Sequence, residues 1–206
     1  MKIVLVIILS LITHQTLSNS PEYDNLTKKL SLLNDVQADF VQHTFDGKGT
    51  LLQTQKGVLN LKQPNKFRWE SQQPYEQLLI SNGDTLWQFD EDLEQVTLQK
   101  LNKKLSATPA LLLSGDTNQI AIEYDIYSET LQDETHFVLI PKQSDVLFDR
   151  LRLEFDGKHL LHRMVIKDEV GQKTIIRFLN IQTEQNYPNS KFEFIIPSGI
   201  DVIRNQ

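Results

Sequence analysis

Gln63-Pro64-Asn65-Lys66-Phe67-Arg68-Trp69-Glu70 is the stretch on which the fold turns. Pro64-Asn65 reads as a turn, and from Lys66 onward apolar and charged residues alternate. A period of two puts Phe67 and Trp69 on one face of a strand and Arg68 and Glu70 on the other. The next strand offers Tyr75, Gln77 and Leu79 against Glu76, Leu78 and Ile80, and the one after it places Trp87 and Phe89 on one side. Both Trp residues and two of the ten Phe thus fall in one short region. Upstream, Ala38, Phe40 and Gln42 alternate against Asp39, Val41 and His43, and Asp46-Gly47 and Lys48-Gly49 supply a turn.

The spacing predicts strands over 50–62, 66–72, 75–81, 85–90, 94–100, 121–128, 135–141, 149–156, 160–168, 173–183 and 191–196. Turn chemistry separates them at Ser81-Asn82-Gly83-Asp84, Asp90-Glu91-Asp92, Phe155-Asp156-Gly157-Lys158 and Glu169-Val170-Gly171. Strands joined by such short turns pair as antiparallel neighbours. Two segments depart from the period. Leu26, Leu30, Leu33 and Val36 recur at helical spacing after Pro21, Glu22 and Asp24, which suit a helix start. Ser106-Ala-Thr-Pro-Ala-Leu-Leu-Leu-Ser-Gly115 reads as a short apolar helix with Pro109 near its start and Gly115 at its stop. The expected order is helix, about five strands, short helix, about six strands. That is an α+β fold: one large antiparallel sheet with helices on one face, in a single domain over 19–206.

Composition narrows the function without naming it. The chain has 206 residues, a net charge of −6 and no cysteine. Absence of Cys removes disulfide frameworks, thiolate metal sites and Cys nucleophiles. The acidic balance argues against nucleic acid as a partner. Ile3 to Ile12 is apolar except for Ser10, too short to span a bilayer, which takes about 20 residues. It reads as the h-region of a secretory signal peptide covering 1–18, cleaved near residues 18–20. Its removal would leave 188 residues with 20 basic and 27 acidic side chains, exported to the periplasm.

Catalytic signatures are missing: there is no nucleophile elbow, P-loop, dinucleotide fingerprint or zinc-protease motif. His159 and His162 stand three apart in a hairpin region, a poor arrangement for a shared metal. Asp90, Glu91, Asp92 and Glu94 lack the loop pattern of a calcium site. Glu70 and Glu76 flank a Pro turn with nothing to fix their separation, so the reading is a protein without enzymatic activity, metal or cofactor. The aromatic concentration around Phe67 and Trp69 carries more information. A helix of about 15 residues is about 22 Å long and cannot cover a sheet of about eleven strands spaced about 4.8 Å apart. Pattern alone leaves two readings open, a packed core face or an apolar pocket.

In order and spacing, several segments resemble the LolA family of periplasmic lipoprotein carriers. They are Val36-Gln-Ala-Asp-Phe-Val-Gln42, Gly57-Val-Leu59, Pro64-Asn-Lys-Phe-Arg-Trp69, Gln73-Pro74 and Ser81-Asn-Gly-Asp-Thr-Leu-Trp87. Glu94-Gln-Val-Thr97, Thr108-Pro-Ala-Leu-Leu-Leu113, Lys191-Phe-Glu-Phe194 and Pro197-Ser-Gly-Ile200 continue the likeness over nearly all of the chain after the signal. The resemblance implies an unclosed β-barrel capped by helices, whose apolar cavity shields the acyl chains of triacylated lipoproteins. It implies receipt of cargo from the inner-membrane Lol ABC transporter and delivery to the outer-membrane receptor LolB, by a monomer. It implies a cavity lined by Phe67, Trp69 and Leu79, with Leu111 and Leu113 on the lid-like short helix. Leu30, Phe40, Trp87 and Phe89 are further candidates for the acyl cavity.

One position departs from the family pattern. Many relatives carry Arg directly before the Pro-Asn pair, where it holds the lid by hydrogen bonds to helix carbonyls; here that residue is Gln63. An uncharged amide bonds about half as strongly as a guanidinium, which predicts a looser closed state unless Lys62 or Arg68 substitutes. The resemblance also admits a second class, a lipid or lipoprotein sensor with no carrier activity; the compact length favours the carrier.

Overall fold

The computed structural model describes residues 20–101, 109–143 and 148–205. The proposed signal segment 1–18 and the start of the Ser106–Gly115 segment lie outside these. The first helix, α1 (Pro21–Ser31), starts on Ser20, whose hydroxyl accepts from the Tyr23 amide at 3.3 Å. Glu22 and Asp24 stand in its first turn and Lys28 and Lys29 in its last, each sign matching the helix dipole. Replacing Ser20 by Ala is expected to cost about 1 kcal/mol, read as a lower urea midpoint at unchanged m. The helix stops five residues short of the predicted stripe. Asp35, at φ 51°, turns the chain left-handed, and Leu33 and Val36 complete the buried stripe from the turn and the first strand.

Six strands follow as a meander: β1 (Val36–Phe45), β2 (Leu51–Lys62), β3 (Lys66–Gln73), β4 (Gln77–Asn82), β5 (Thr85–Asp90) and β6 (Gln95–Lys100). Two short helices come next, α2 (Pro109–Ser114) and α3 (Asn118–Glu123). A second meander follows: β7 (Tyr124–Leu131), β8 (Glu134–Pro141), β9 (Arg150–Phe155), β10 (Leu161–Lys167) and β11 (Lys173–Gln182). β11 pairs antiparallel with β1, so both meanders form one sheet with β1 near its middle. The edges of the sheet do not pair with each other, and the barrel stays open. The path from β6 to β7 runs from one half of the sheet to the other edge, which carries α2 over the concave face against β2 and β3.

Three sequence expectations need correction. α3 occupies the start of the segment predicted as strand 121–128. Asp116 accepts from the Asn118 amide at 2.9 Å, an Asx turn that starts a helical turn burying Ile120, and the strand begins only at Tyr124. The predicted strand 191–196 is a 3-10 turn (Asn189–Phe192) followed by extended chain. Its alternating Phe192, Phe194 and Ile196 pack onto the body of the protein rather than into the ladder, with Phe192 fully buried. The last strand is β12 (Asp201–Asn205), which lies parallel to β6. The sheet is therefore mixed, because the chain returns to that edge by a long connection rather than a hairpin.

Candidate functional site

Register assigns each expected residue to a face. Trp69 pairs with Leu59 and Leu79, and Phe67 with Leu61 and Ser81. Phe40 pairs with Gly57 and Phe178. These side chains meet on the concave face in one apolar cluster with Leu30 of α1 and with Leu111 and Leu113 of α2. The rings of Phe40 and Trp69 lie 4.7 Å apart, and Phe178 meets Trp69 edge-on at 6.3 Å. Seven of the nine proposed cavity residues are thus brought together.

Trp87 and Phe89 are not among them. They pair with Ile80 and Leu78, one position out of phase with Leu79, and face the opposite side of the sheet. There they form a second cluster with Val96, on which Phe194 lies at 5.3 Å from Phe89. The convex face also holds an open cavity of about 450 Å³ that includes Arg68, Glu70, Glu76 and Glu91. The Glu91 pKa is raised, because its protonated carboxyl donates a hydrogen bond to Glu76 and because the Glu76 charge stands beside it. Such a charged lining suits no acyl chain.

The concave cluster encloses two unequal spaces. Under α2 and the turn after α1 the side chains of Leu33, Val36, Leu59, Leu61, Leu113 and Phe178 leave about 10 Å³. Beyond the lid an open cavity of about 270 Å³ is bounded by Trp69, Leu79, Ala110, Ile166 and Ile176 together with Gln42 and Thr174. Pockets for a single drug-sized ligand measure about 300–1,000 Å³. Several acyl chains enter this face only if the helices move off it.

What holds the helices is therefore central. The Gln63 amide donates to the Leu30 carbonyl of α1 at 3.0 Å and to the Leu113 carbonyl of α2 at 3.2 Å. Both acceptors are last-turn carbonyls, and Leu30 O also accepts from the Leu33 backbone N–H at 2.9 Å. Alongside, the Asn65 amide donates to Ser114 O at 2.6 Å and the Gln63 backbone N–H to Asn34 Oδ1 at 3.3 Å. Neither basic neighbour reaches these carbonyls. Lys62 donates to Tyr187 O, and Arg68 pairs with Glu70 at 3.0 Å on the convex face.

A contact not foreseen from sequence anchors α1 elsewhere. Lys29 is 5% exposed, its Nζ 2.8 Å from His159 Nδ1 and 5.6 Å from the centre of the Phe155 ring. Burial lowers the Lys29 pKa, opposed by Asp156 and assisted by Lys28. A lysine with a lowered folded pKa binds fewer protons folded than unfolded between that pKa and the unfolded value near 10.5. Its contribution to stability consequently rises with pH through that window. Lys29→Met is expected to flatten this part of a stability–pH curve by chemical denaturation, the difference from wild type isolating Lys29 from the tyrosines.

His159 and His162 share no site. His162 instead faces Glu134 at 3.6 Å on the convex side. Glu134, Glu154 and His162 come within 4.8 Å of one another, but Glu154 is already paired with Arg152 at 3.2 Å and Arg163 at 3.1 Å. Two guanidinium groups on the buried carboxylate make this an ion-pair network hostile to a further cation.

Comparison with known proteins agrees with this geometry. The family described as "Outer membrane lipoprotein carrier protein LolA" matches residues 31–195. The outer-membrane lipoprotein carrier protein of Pseudomonas aeruginosa is 45% identical over 187 residues, 90% of this chain and 89% of that protein. That of Pseudomonas fluorescens is 40% identical over 207 residues, 99% of this chain and all of its own. Among solved structures, a LolA superfamily protein from Nitrosomonas europaea superposes with a TM-score of 0.52 at 13% identity, over 84% of this chain and 97% of that one. An uncharacterized conserved protein from Thermus thermophilus gives 0.55 at 12% identity, over 88% and 98%. The structural matches speak for the fold alone.

Proposed function

The chain belongs to the LolA family of outer-membrane lipoprotein carrier proteins, and from that premise we propose that its concave face shields the acyl chains of lipoproteins in transit through the periplasm. Each methylene returned to water costs about 0.8 kcal/mol, so a lipid anchor needs cover between membranes. The observation that carries the reading is the apolar concave face closed by helices that a few uncharged hydrogen bonds hold down. Such a lid yields to cargo and recloses after release. Residues Leu30, Phe40, Phe67, Trp69, Leu79, Leu111 and Leu113 form the acyl-binding surface in this proposal, and Gln63 is the latch.

In the finer proposal, residues 1–18 act as a signal peptide cleaved near 18–20, and the single domain over 19–206 works as a monomer. Cargo is triacylated lipoprotein, taken from the inner-membrane Lol ABC transporter and passed to LolB, with no catalysis and no cofactor. The sensor alternative is not favoured, since the relatives at 40–45% identity over nearly full length carry the name of carriers. The purified protein, added to inner membranes with ATP, should bring lipoprotein into the soluble fraction as a one-to-one complex. Membranes that keep all their lipoprotein would overturn the carrier reading.

A further inference from the structure

The concave face is not apolar throughout. Along β1 the inward residues run Ala38, Phe40, Gln42 and Thr44, changing from apolar to polar away from the lid. At about 3.4 Å per residue, Gln42 stands about 7 Å beyond Phe40. Register sets Gln55 of β2 beside Gln42 and Thr174 of β11 beside Thr44. The Gln42 amide donates to Gln55 Oε1 at 2.9 Å, and the Thr44 and Thr174 hydroxyls lie 3.4 Å apart. All four side chains are half-buried.

Their hydrogen-bonding capacity is only partly used. A glutamine carries two N–H donors and a carbonyl acceptor. After their mutual bond, Gln42 keeps one donor and its carbonyl, and Gln55 keeps both donors. No other hydrogen bond among the described residues takes these up. Gln42 and Thr174 open directly into the 270 Å³ cavity, none of whose lining residues is charged.

Resting on the carrier reading, we infer that Gln42, Gln55, Thr44 and Thr174 form a subsite for the uncharged ester and amide linkages of a lipoprotein anchor. With the acyl chains against Phe40 and Trp69, the first polar atoms beyond them are carbonyl oxygens. A triacylated N-terminus has its amine converted to an amide, so this head carries no charge. Spare amide and hydroxyl donors match carbonyl acceptors, and a neutral lining imposes no charge desolvation. These linkages are common to every such anchor and independent of the polypeptide that follows, which suits a carrier of many cargoes.

The test compares a synthetic tripalmitoyl-S-glyceryl-cysteine lipopeptide with a pyrene-labelled neutral hydrocarbon as ligands. In Gln42→Leu/Gln55→Leu, which keeps side-chain size, lipopeptide affinity should fall about tenfold, as for two lost uncharged hydrogen bonds. Hydrocarbon affinity should hold or rise. Thr174→Val, near-isosteric, should repeat the pattern at about threefold should the double variant fail to fold. Unchanged lipopeptide affinity, or an equal loss for both ligands, would overturn the subsite while leaving the carrier reading intact. A wild-type protein that binds neither ligand would overturn both.

Discussion

Replacing Gly57 by alanine is expected to lower the unfolding free energy by about 3 kcal/mol, the upper part of the range for overpacked interiors. A Cβ at this position would stand 1.9 Å from the Glu70 carbonyl oxygen and 2.7 Å from Cζ of Phe40. The first contact is with backbone across the β2–β3 ladder and cannot be relieved by a rotamer change. The second would push the Phe40 ring off its place against Trp69. A protein of this size should then melt about 6–12 °C lower. Lipopeptide binding measured well below the melting point should weaken as well, because the aromatic floor shifts. A melting temperature within about 2 °C of wild type would show that the strands separate here at little cost.

The second large effect concerns the latch. Gln63→Arg should speed release of a bound lipopeptide by about 10- to 30-fold, because the latch bonds form only in the closed, empty state and each contributes about 1 kcal/mol more from a charged donor than from an amide. The two acceptors, Leu30 O and Leu113 O, are last-turn carbonyls of α1 and α2. A cation is favoured at such ends, and a guanidinium fork reaches two acceptors at once. Gln63→Leu, which removes both latch hydrogen bonds, should slow release instead. Stopped-flow transfer of a fluorescent lipopeptide to vesicles would measure both. Equal release rates for Gln, Arg and Leu at this position would remove Gln63 from the release mechanism.

How far the site could be read from sequence is clearest at Trp69 and Trp87. Alternation places Phe67 with Trp69, and Trp87 with Phe89, within their own strands. It does not say which face of one strand continues which face of the next. That phase is set by the turn. Asn82 Oδ1 accepts from the Asp84 and Thr85 amides, the turn closes around Gly83-Asp84, and Ile80 falls opposite Trp87. One residue of slip would have moved Trp87 to the cavity side. The signal was present in the turn, but aromatic content drew Trp87 and Phe89 to the wrong face. The latch was legible as a position, because Gln63 precedes the Pro-Asn turn in a recognisable order. Its two acceptors were not, since Leu30 and Leu113 are 33 and 50 residues away in sequence.

The sequence by itself determined most of the local structure: where all but the segments around 121 and 191–196 form strands and turns, where α1 begins, and which apolar side chains must be buried. These depend on contacts within a few residues, and period, caps and turn residues record them directly. Only the tertiary structure decided the closure of the two meanders through β1 and β11, the parallel return of β12 and the seat of Lys29 beside His159. Such contacts join residues more than 100 positions apart, and no local period encodes them. The polar half of the concave face belongs with this second group. Gln42, Gln55 and Thr174 are ordinary strand residues one by one, and they become a surface only when three strands bring them to one side.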